Sequence, residues 1–429
     1  MGRLFTIFGR KDKRKTASSA QPAPNTTTAM PATQPEIPDT QRVLLLNGPK
    51  EKYHVTNNYP VPVFEHDREV LVRTAAIGLN PIDWKAPDYN FGIPELPYIS
   101  GRELAGEVVK INKGVSRVLV ISTDYRDLRK GAYQEHVIAS DYNTVRLPRH
   151  LSVEEGATIG VAFVAAVLAL GVSMGVDFSA IKNGPDLFEL VRQVPAEDLP
   201  QDVRQECLEK LASHERAQPG DWLAIWGGSA TSANLTIQLA RLAGLKVAAV
   251  VDHAKHGLRL SNHEVIRPDL LVDSHDPQRA VDVLLGNLGR SGKLRFGFDT
   301  RGGESAAWLL KALSPAVTQI PNPSLAPPSP PSTPPVRVSL PSHLVGLTGL
   351  PKQTPPDGSV FHTVPIKLFH EIPTIGESLS SWLERLLEKK LLVPPEIIGI
   401  ESGLESVNGA LNRMRKGEIS GGKLLVRLE

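Results

Sequence analysis

A short stretch rich in glycine and hydroxyl side chains, IWGGSATSANL at 225–235, has the composition of a phosphate-binding turn. The apolar run before it predicts a strand, and the run after it predicts a helix. Gly227 and Gly228 let the backbone bend tightly and approach a pyrophosphate, whose charge a helix amino terminus attracts. Four residues then offer hydroxyl groups or backbone amides to the phosphates: Ser229, Ala230, Thr231 and Ser232. The G-x-G-x-x-G spacing is absent, so a strand-to-helix turn without a ligand is the alternative.

The next predicted strand, KVAAVVD at 246–252, ends in an acidic residue. Asp252 can accept hydrogen bonds from ribose hydroxyls, which favours NAD(H). Lys255, with His256 and Arg259 behind it, can instead meet a 2′-phosphate, which favours NADP(H). The alternative for these three basic residues is a solvated helix face. We expect NADP(H) rather than NAD(H).

Length and composition limit the class of protein. The chain has 429 residues, enough for about two to three domains, and 41% of them are hydrophobic, which suffices for ordinary cores. Its formal net charge of +2 gives no electrostatic support to nucleic-acid binding, so we expect no nucleic-acid partner. The single cysteine, Cys207, excludes a disulfide framework and a multi-cysteine zinc site, and it suits a reducing compartment.

Sequence patterns divide the chain into segments. Residues 1–40 are polar and rich in Pro and Thr, which predicts a disordered tail. From 42 to 148, short apolar runs alternate with Gly and Pro turns, which predicts a mostly β domain. After Gly220, strand-like and helix-like runs alternate, which predicts a parallel sheet with helices on its faces. A charged helical stretch at 185–219 and a proline-rich run at 327–335 interrupt this pattern.

The apolar segment ATIGVAFVAAVLALGVSMGV, at 157–176, is long enough to suggest a membrane span. It also holds three glycines, and no cluster of Lys and Arg flanks it. These features favour a buried helix packed between domains.

Further motifs occur in a fixed order along the chain. They are AAIGLNPIDWK (75–85), SGRELAGEVV (100–109), GAYQEHVIA (131–139), the glycine turn with its helix, and SGGKLLVRL (420–428). Together they resemble the medium-chain dehydrogenase/reductase superfamily. The resemblance is closest to its zinc-free quinone oxidoreductases and its fungal trans-acting enoyl reductases.

The resemblance implies an α/β protein with a GroES-like β domain, a Rossmann-type doubly wound parallel sheet domain, and a cleft between them. The GroES-like domain would comprise residues 41–156 and be completed by 360–429. The Rossmann-type domain would comprise 157–358 and begin with the apolar segment as a crossing helix. Two insertions would interrupt the second domain, at 185–219 and 315–341. Dimers are common in this family, so we also expect a homodimer.

Departures from the zinc-binding members of the family predict that no metal is bound. The positions of their Cys and His ligands are occupied by Asn80 and Arg102 here, and the four cysteines of a structural zinc lobe are missing. The usual G-D-x-V turn before GAYQE is absent, which indicates a shortened hairpin or an altered gene model. A threonine found in enoyl reductases at the crossing helix is matched by Ala165.

Without a metal, the resemblance implies hydride transfer from NAD(P)H to a small-molecule substrate: a conjugated enone, an enoyl thioester or a quinone. Lys85 is the residue that we expect near the substrate carbonyl, where a cation stabilises an enolate. The alternative for Lys85 is an ordinary exposed lysine after a turn.

Other residues would support this reaction. Asn80 and Asp83 would position the loop or contact the nicotinamide ribose, with the alternative that Asp83 only stabilises a turn. Tyr133 is a further candidate proton donor. Asp299 and Thr300 follow a predicted strand and would lie near the nicotinamide, at the carboxyl edge of the sheet.

The amino terminus supports a second hypothesis. In MGRLFT, Gly2 and Thr6 match an N-myristoylation signal, and basic residues continue to Lys15. An acyl chain and a basic patch would bring residues 2–15 of a cytoplasmic protein to a membrane surface. The alternatives are a disordered basic tail without a membrane role and a mitochondrial presequence. The rival function is a membrane-associated adaptor or trafficking factor that keeps the reductase fold without turnover.

Overall fold

The computed structural model describes residues 37–109, 116–288, 294–320 and 336–428, without the side chains of 317–320 and 336–338. Several predictions lie outside the described residues: those for the tail up to residue 36, for Gly2 and the segment 2–15, and for the proline-rich run 327–335. Thr40 pairs with Pro60 and already belongs to the first strand, so the predicted tail 1–40 extends too far.

The strands of the described chain are β1 (Thr40–Leu46), β2 (His54–Pro60), β3 (Glu69–Gly78), β4 (Tyr98–Ile99), β5 (Glu103–Val108), β6 (Arg117–Ile121), β7 (His136–Ser140), β8 (Thr144–Arg146), β9 (Trp222–Trp226), β10 (Lys246–Val251), β11 (Leu270–Asp273), β12 (Phe296–Asp299), β13 (Ala316–Ile320), β14 (Val336–Leu340), β15 (Ser342–Gly346), β16 (Ser359–Thr363), β17 (Ile397–Ser402) and β18 (Lys423–Arg427). Its α-helices are α1 (Pro81–Tyr89), α2 (Val153–Gly156), α3 (Gly160–Leu168), α4 (Leu187–Arg192), α5 (Gln201–Leu208), α6 (Thr231–Leu242), α7 (His253–Asn262), α8 (Pro277–Asn287), α9 (Gly303–Ala312), α10 (Lys367–Glu371), α11 (Pro373–Glu388) and α12 (Val407–Arg415).

The first part of the chain forms mainly antiparallel sheets, as its short apolar runs predict. The larger sheet has the order β17-β18-β3-β5-β6-β8, with β7 also paired to β3. Strand β18 pairs with β3, so the end of the chain returns to the first domain. Strands β5 and β6 pair regularly from Glu103–Ile121 to Glu107–Arg117, so the segment that lacks the G-D-x-V turn forms a hairpin. Residues 110–115 of its connection lie outside the described chain.

The second part of the chain forms a parallel sheet of order β11-β10-β9-β12-β15-β16. This is the 3-2-1-4-5-6 order of a dinucleotide-binding fold, and it confirms the predicted α/β class and doubly wound sheet. Alternate residues of β9 face opposite sides, because side chains alternate along a strand. Leu223 and Ile225 pack with α3 and α6, whereas Ala224 and Trp226 pack with α8 and α9. Strand β16 extends the sheet to Thr363, beyond the predicted boundary at residue 358.

The apolar segment predicted to cross between the domains is helical and buried. Residues 157–176 contain α3 and a π-helical turn, Ala169–Ser173, and α2 lies just before them. Val153–Ser173 is long enough to cross a membrane and contains an 18-residue window with a mean hydropathy of 2.1, yet 94% of that window is buried inside the molecule. Phe163 and Val167 share one core with β5 and β6 of the first domain and with β9 of the second. Burial between two sheets explains why the segment is apolar on all sides.

The two predicted insertions differ in structure. The 185–219 insertion contains α4 and α5, whose Val191, Val203 and Cys207 reach the main core. The 315–341 insertion contains the antiparallel pair β13–β14, in which Ala316 lies opposite Leu340.

A chain of buried polar side chains ties the 185–219 insertion to the parallel sheet. Glu206 accepts hydrogen bonds from Ser173 Oγ and His362 Nδ1, each at 2.7 Å. His362 Nε2 lies 3.0 Å from His343 Nδ1. Burial lowers the pKa of His343 to about 3. Burial opposes the charge of Glu206, but the hydrogen bond and charge of His362 lower the pKa of Glu206 overall.

We expect acid to destabilise the fold through His343. Its folded-state pKa lies below its unfolded value, so its stabilising contribution is complete above about pH 6.5 and declines as the pH falls toward 3. Between pH 7 and pH 5 this decline is about 2 kcal/mol. His343→Asn keeps a hydrogen-bonding group near Nδ1 but cannot titrate. The free energy of unfolding, measured with urea, should therefore fall from pH 7 to pH 5 by about 2 kcal/mol less in this variant than in the unchanged protein.

His54→Asn is the matched control, because it replaces an exposed histidine. It should retain the pH dependence of the unchanged protein. The same pH dependence in His343→Asn as in the unchanged protein would show that His343 does not titrate in this way.

Candidate active site

The glycine turn lies at the carboxyl end of β9. The amides of Gly227 and Gly228 both donate to the carbonyl oxygen of Val250, at 3.0 and 3.1 Å. Gly227 has a φ of +80°, and a Cβ there would collide with Thr300 Oγ1. A Cβ on Gly228 would lie 2.8 Å from Ala249 Cβ. Both positions therefore require glycine, one for its left-handed backbone and both for close packing.

Helix α6 begins at this turn and directs its amino terminus toward the carboxyl edge of the sheet. Its N-cap, Ala230, has no side chain that could accept a hydrogen bond. The amides at the start of the helix, beginning with Thr231, are therefore left for a ligand. Ser229 and Thr231 are half-buried and Ser232 is buried, so the predicted phosphate-binding residues line a single turn.

Asp299 and Thr300 lie beside the glycine turn, at the carboxyl end of β12. The Thr300 hydroxyl lies 3.1 and 3.0 Å from the carbonyl oxygens of Trp226 and Gly227, to which it can donate. Asp299 Oδ1 accepts hydrogen bonds from two backbone amides that follow Thr300, at 2.9 and 2.7 Å. Burial raises the pKa of Asp299. These contacts hold the end of β12 against the glycine turn and so support the cofactor edge.

Asp252 caps helix α7. Its Oδ1 accepts from the amide of Lys255 at 3.1 Å, and its Oδ2 lies 3.4 Å from Lys255 Nζ. His256 Nε2 lies 2.8 Å from Ser420 Oγ, and Arg259 donates to a backbone carbonyl of the same loop at 2.6 Å. His256 and Arg259 thus hold the loop before β18 instead of facing a 2′-phosphate. Lys255, whose side chain is 68% exposed, is the basic residue left beside Asp252.

Asn80 and Asp83 stand at the start of α1. Asp83 Oδ2 accepts from the Asn80 amide at 2.8 Å and caps the helix, which is the local role given as its alternative. Asp83 Oδ1 has no hydrogen-bond partner among the described residues. Burial raises the pKa of Asp83 to about 6, although the Asn80 amide and the charge of Arg102 oppose this shift.

Tyr133 is buried beside Asp83. Its ring meets that of Tyr53 edge to face, with centroids 5.4 Å apart, and the Tyr53 hydroxyl donates to the carbonyl oxygen of Asp83 at 2.7 Å. The Tyr133 hydroxyl has no hydrogen-bond partner in the described part of the chain. Burial, together with the charge of Asp83, raises the pKa of Tyr133 well above its usual range. The structure thus brings Asp83 and Tyr133 together in surroundings that favour their neutral forms.

The Asn80 side chain belongs to a buried polar cluster. Its Nδ2 donates to Glu103 Oε1 at 2.9 Å, and its Oδ1 accepts from Lys423 Nζ at 2.7 Å. Glu103 and Lys423 form an ion pair, with side chains 1% and 3% exposed. Glu103 Oε2 accepts from the amide of Val161, in the first turn of α3, at 2.9 Å. Asn80 therefore positions the loop before α1, and its carboxamide is occupied by protein groups.

Lys85 lies on α1 apart from these contacts. Its Nζ is 5.7 Å from the centroid of the Trp84 ring, and Arg415 of α12 covers the same ring at 5.5 Å. Within the described residues, no hydrogen bond joins Lys85 to Asn80 or Asp83. The structure therefore does not bring Lys85 together with the other predicted catalytic residues.

A contact that the sequence analysis missed links the first domain to α10. Thr123 Oγ1, in the loop after β6, lies 2.9 Å from His370 Nδ1. His370 Nε2 has no hydrogen-bond partner among the residues described, and burial lowers the pKa of His370 to about 4. The charge of Arg102 acts on this histidine and on Asp83. No motif marks Thr123 or His370, which meet only in the folded chain.

The site suits a dinucleotide better than a metal ion. Across residues 37–109, 116–288, 294–320 and 336–428, no three His, Cys, Asp or Glu side chains are grouped to hold a metal. Lys423 places positive charge at Asn80, at the position of a zinc ligand in the zinc-binding proteins. The glycine turn, by contrast, precedes a helix whose N-cap residue has no capping side chain, at the sheet edge where doubly wound folds bind nucleotides.

A separate polar depression of about 650 Å³ lies near the carboxy-terminal ends of α6 and α7, lined by Arg241 and Arg267 among others. It lies at the amino edge of the parallel sheet. Because ligands of doubly wound sheets bind outside the carboxyl edge, we do not assign the cofactor to it.

Removal of one member of the Glu103–Lys423 pair should destabilise the fold strongly. Lys423→Met leaves the Glu103 carboxylate buried without its cation, so the free energy of unfolding should fall by about 3–5 kcal/mol. Glu103→Gln combined with Lys423→Met removes both charges and should recover part of that loss. Urea unfolding of the three proteins measures both effects.

Arg427→Met is the control on the same strand, because Arg427 pairs with Glu154 and is half exposed. It should lower the free energy of unfolding by about 1 kcal/mol or less. Equal losses for Lys423→Met and Arg427→Met would contradict the importance given to the buried pair.

Comparisons with known proteins agree with these features. Residues 66–149 match the family described as the alcohol dehydrogenase GroES-like domain. The chain is 26% identical to the trans-enoyl reductase resD of Aspergillus sclerotiorum, over 87% of this chain and 96% of that protein. It is 32% identical to the quinone oxidoreductase of Sus scrofa, over 32% of this chain and 42% of that protein. With two further trans-enoyl reductases, the match spans 62% and 59% of their own length.

The fold has solved counterparts. The crystal structure of CurK enoyl reductase superposes with a TM-score of 0.63 at 15% identity, covering 91% of this chain and all of that one. This likeness concerns the fold, whereas the motifs and the curated relatives concern the family. The matched domain family and the curated relatives thus support the resemblance to the medium-chain dehydrogenase/reductase superfamily and to its enoyl and quinone reductases.

Proposed function

We propose that this chain is a zinc-independent, NAD(P)H-dependent oxidoreductase that reduces a conjugated C=C bond of an enoyl or enone compound, or a quinone, by hydride transfer. The observation that carries the proposal is the glycine turn between β9 and α6. The turn follows β9 at the place in the sheet where β9 neighbours β12 and the strand order reverses. Doubly wound folds bind nucleotides at this place. The relatives named trans-enoyl reductase and quinone oxidoreductase support the reaction class.

The nicotinamide cofactor, when bound, supplies the hydride. Gly227, Gly228 and the start of α6 would hold its pyrophosphate, and Thr300 keeps their turn in place. Reduction of an enone adds hydride to the β-carbon and a proton to the α-carbon, and between these steps the negative charge lies on the carbonyl oxygen. Tyr133, whose pKa is raised well above its usual range by burial and by the charge of Asp83, is the proton-bearing group on this side of the site.

Zinc independence rests on the groups at the former ligand positions. The Asn80 carboxamide is hydrogen-bonded to Glu103 and Lys423, and the guanidinium of Arg102 has no lone pair for a metal.

A preference for NADP(H) rests on the end of β10. There the Asp252 carboxylate caps α7, so it is engaged by the protein instead of by ribose hydroxyls. Lys255 is exposed next to it, where it would meet a 2′-phosphate.

Titration of the purified protein with NADPH and NADH, followed by cofactor fluorescence, tests the proposal. We expect saturable binding that is tighter for NADPH, and Lys255→Gln should narrow the difference between the two dissociation constants. Gly228→Leu should weaken binding at least about tenfold, since its side chain would collide with β10 and displace the turn.

Gly286→Leu is the control for an added side chain, because a Cβ at that helical position meets no atom within 4 Å. It should bind NADPH as the unchanged protein does. Failure of well-folded, unchanged protein to bind either nucleotide would contradict the proposed function. Turnover is then assayed with trans-2-hexenoyl-N-acetylcysteamine and with menadione as oxidants of NADPH.

A further inference from the structure

Arg102 is a buried cation without a carboxylate partner. The residue is 8% exposed, and its guanidinium lies over the Tyr125 ring, 5.3 Å from the centroid. The buried Tyr98 hydroxyl interacts with the guanidinium through a side-chain hydrogen bond, but no acidic side chain of the described chain lies within ion-pair distance of it. A buried charge without a counterion is unfavourable unless another group compensates it, so the arrangement indicates an anionic or strongly polar ligand.

Buried polar groups with incomplete hydrogen bonding lie within reach of this cation. Asp83 Oδ1 and the Tyr133 hydroxyl make no hydrogen bond of ordinary geometry within the described residues, although the pKa of each side chain responds to the other. His370 Nε2 also lacks a hydrogen bond there, and Glu371 Oε1 lies 3.7 Å from it. The charge of Arg102 acts on all three side chains, so they lie within its electrostatic reach. Buried polar groups are rarely left unsatisfied in native proteins, so several around one cation indicate a place for a ligand.

Arg102 also lies where the two parts of the chain meet. It stands between β4 and β5, and its carbonyl oxygen accepts from the Ser122 amide at 2.7 Å. The following residue, Thr123, contacts His370 of α10. Helix α10 comes after the carboxyl end of β16, so the first domain approaches the nucleotide-binding edge of the parallel sheet at this contact.

We infer that Arg102 is a catalytic residue, whose guanidinium binds the carbonyl oxygen of the substrate and stabilises the oxyanion formed during reduction. The inference rests on the proposed function and narrows its substrates to conjugated carbonyl compounds. The β-carbon accepts the hydride of the reduced nicotinamide, and the electron pair of the double bond moves to the carbonyl oxygen. A proton delivered by Tyr133, and replaced from solvent, then adds to the α-carbon and restores the neutral carbonyl, and the nicotinamide would be released in its oxidised form.

A guanidinium suits this task for physical reasons. It carries a delocalised positive charge and several N–H donors, two of which can converge on one oxygen. In a site shielded from water, such a preformed charge stabilises a developing oxyanion strongly. Lys85, which was expected in this role, lies beside Trp84 instead.

Arg102→Met tests the inference, with Arg126→Met as its matched control. Arg126 lies over the same Tyr125 ring, at 5.8 Å, but it is exposed and paired with Glu371. The assays are turnover of trans-2-hexenoyl-N-acetylcysteamine with NADPH, the dissociation constant of NADPH, and binding of 4-nitrophenolate. This phenolate is an analogue of the oxyanion, and its absorbance distinguishes it from the neutral phenol.

Arg102→Met should lower kcat about 100- to 1,000-fold and weaken 4-nitrophenolate binding at least about tenfold, with NADPH binding unchanged. Arg126→Met should stay within about twofold of the unchanged protein in all three assays. Arg102→Lys keeps the charge and loses the planar pair of donors, so it should show an intermediate loss. It also provides the test if Arg102→Met does not fold.

Unchanged kcat and unchanged phenolate binding in a folded Arg102 variant would overturn the inference. Failure of 4-nitrophenolate to bind any of the proteins, the unchanged one included, would also overturn it. The proposed function fails separately, if the unchanged protein does not bind NADPH. In that case the phenolate titration still decides whether Arg102 forms an oxyanion site.

Discussion

The buried carboxylate of Glu103 is the interaction on which the arrangement of the site depends. Its two oxygens receive three groups from separate parts of the chain: the Asn80 carboxamide, the Lys423 ammonium and the Val161 amide. These groups belong to the loop before α1, to the last strand and to the start of the crossing helix. A charge buried this deeply is stable only when its partners are all in place, so the three segments are held in one relation.

The same cluster fills the position at which zinc-binding members of the family carry a metal ligand. The Asn80 carboxamide there is hydrogen-bonded to Glu103 and to Lys423. Arg102 and Glu103 are neighbours in sequence, yet successive side chains of an extended chain point in opposite directions, so the two have different surroundings. Glu103 joins the segments, whereas Arg102 faces Tyr125, Asp83 and His370 without a counterion.

The nucleotide-binding edge depends on a different kind of constraint. Gly227 and Gly228 are packed so closely against Thr300 and β10 that their lack of a side chain is a structural requirement. The loop before β18 contacts His256 and Arg259 of α7, so this edge and the buried cluster are linked through a few residues that precede Lys423. The predicted 185–219 insertion is joined to the parallel sheet through Glu206 and His362.

The sequence by itself determined the fold class, the glycine turn and the crossing helix. Each of these depends on local signals: alternating apolar runs, glycine beside a strand end, and an apolar segment interrupted by glycines. The motifs also identified Asn80 and Asp83 as residues of one functional segment. The strand Ser359–Thr363 was assigned to the wrong domain, because a short apolar run does not show which sheet it joins.

Only the tertiary structure decided which polar groups meet. Asn80 and Lys423 are 343 residues apart, and Thr123 and His370 are 247 apart, so no spacing rule relates them. The structure also places Lys85 beside Trp84, and it engages His256 and Arg259 with the loop before β18. Residue type shows that a side chain can carry charge, but burial and the absence of a counterion decide what the charge can do, and both arise from long-range packing.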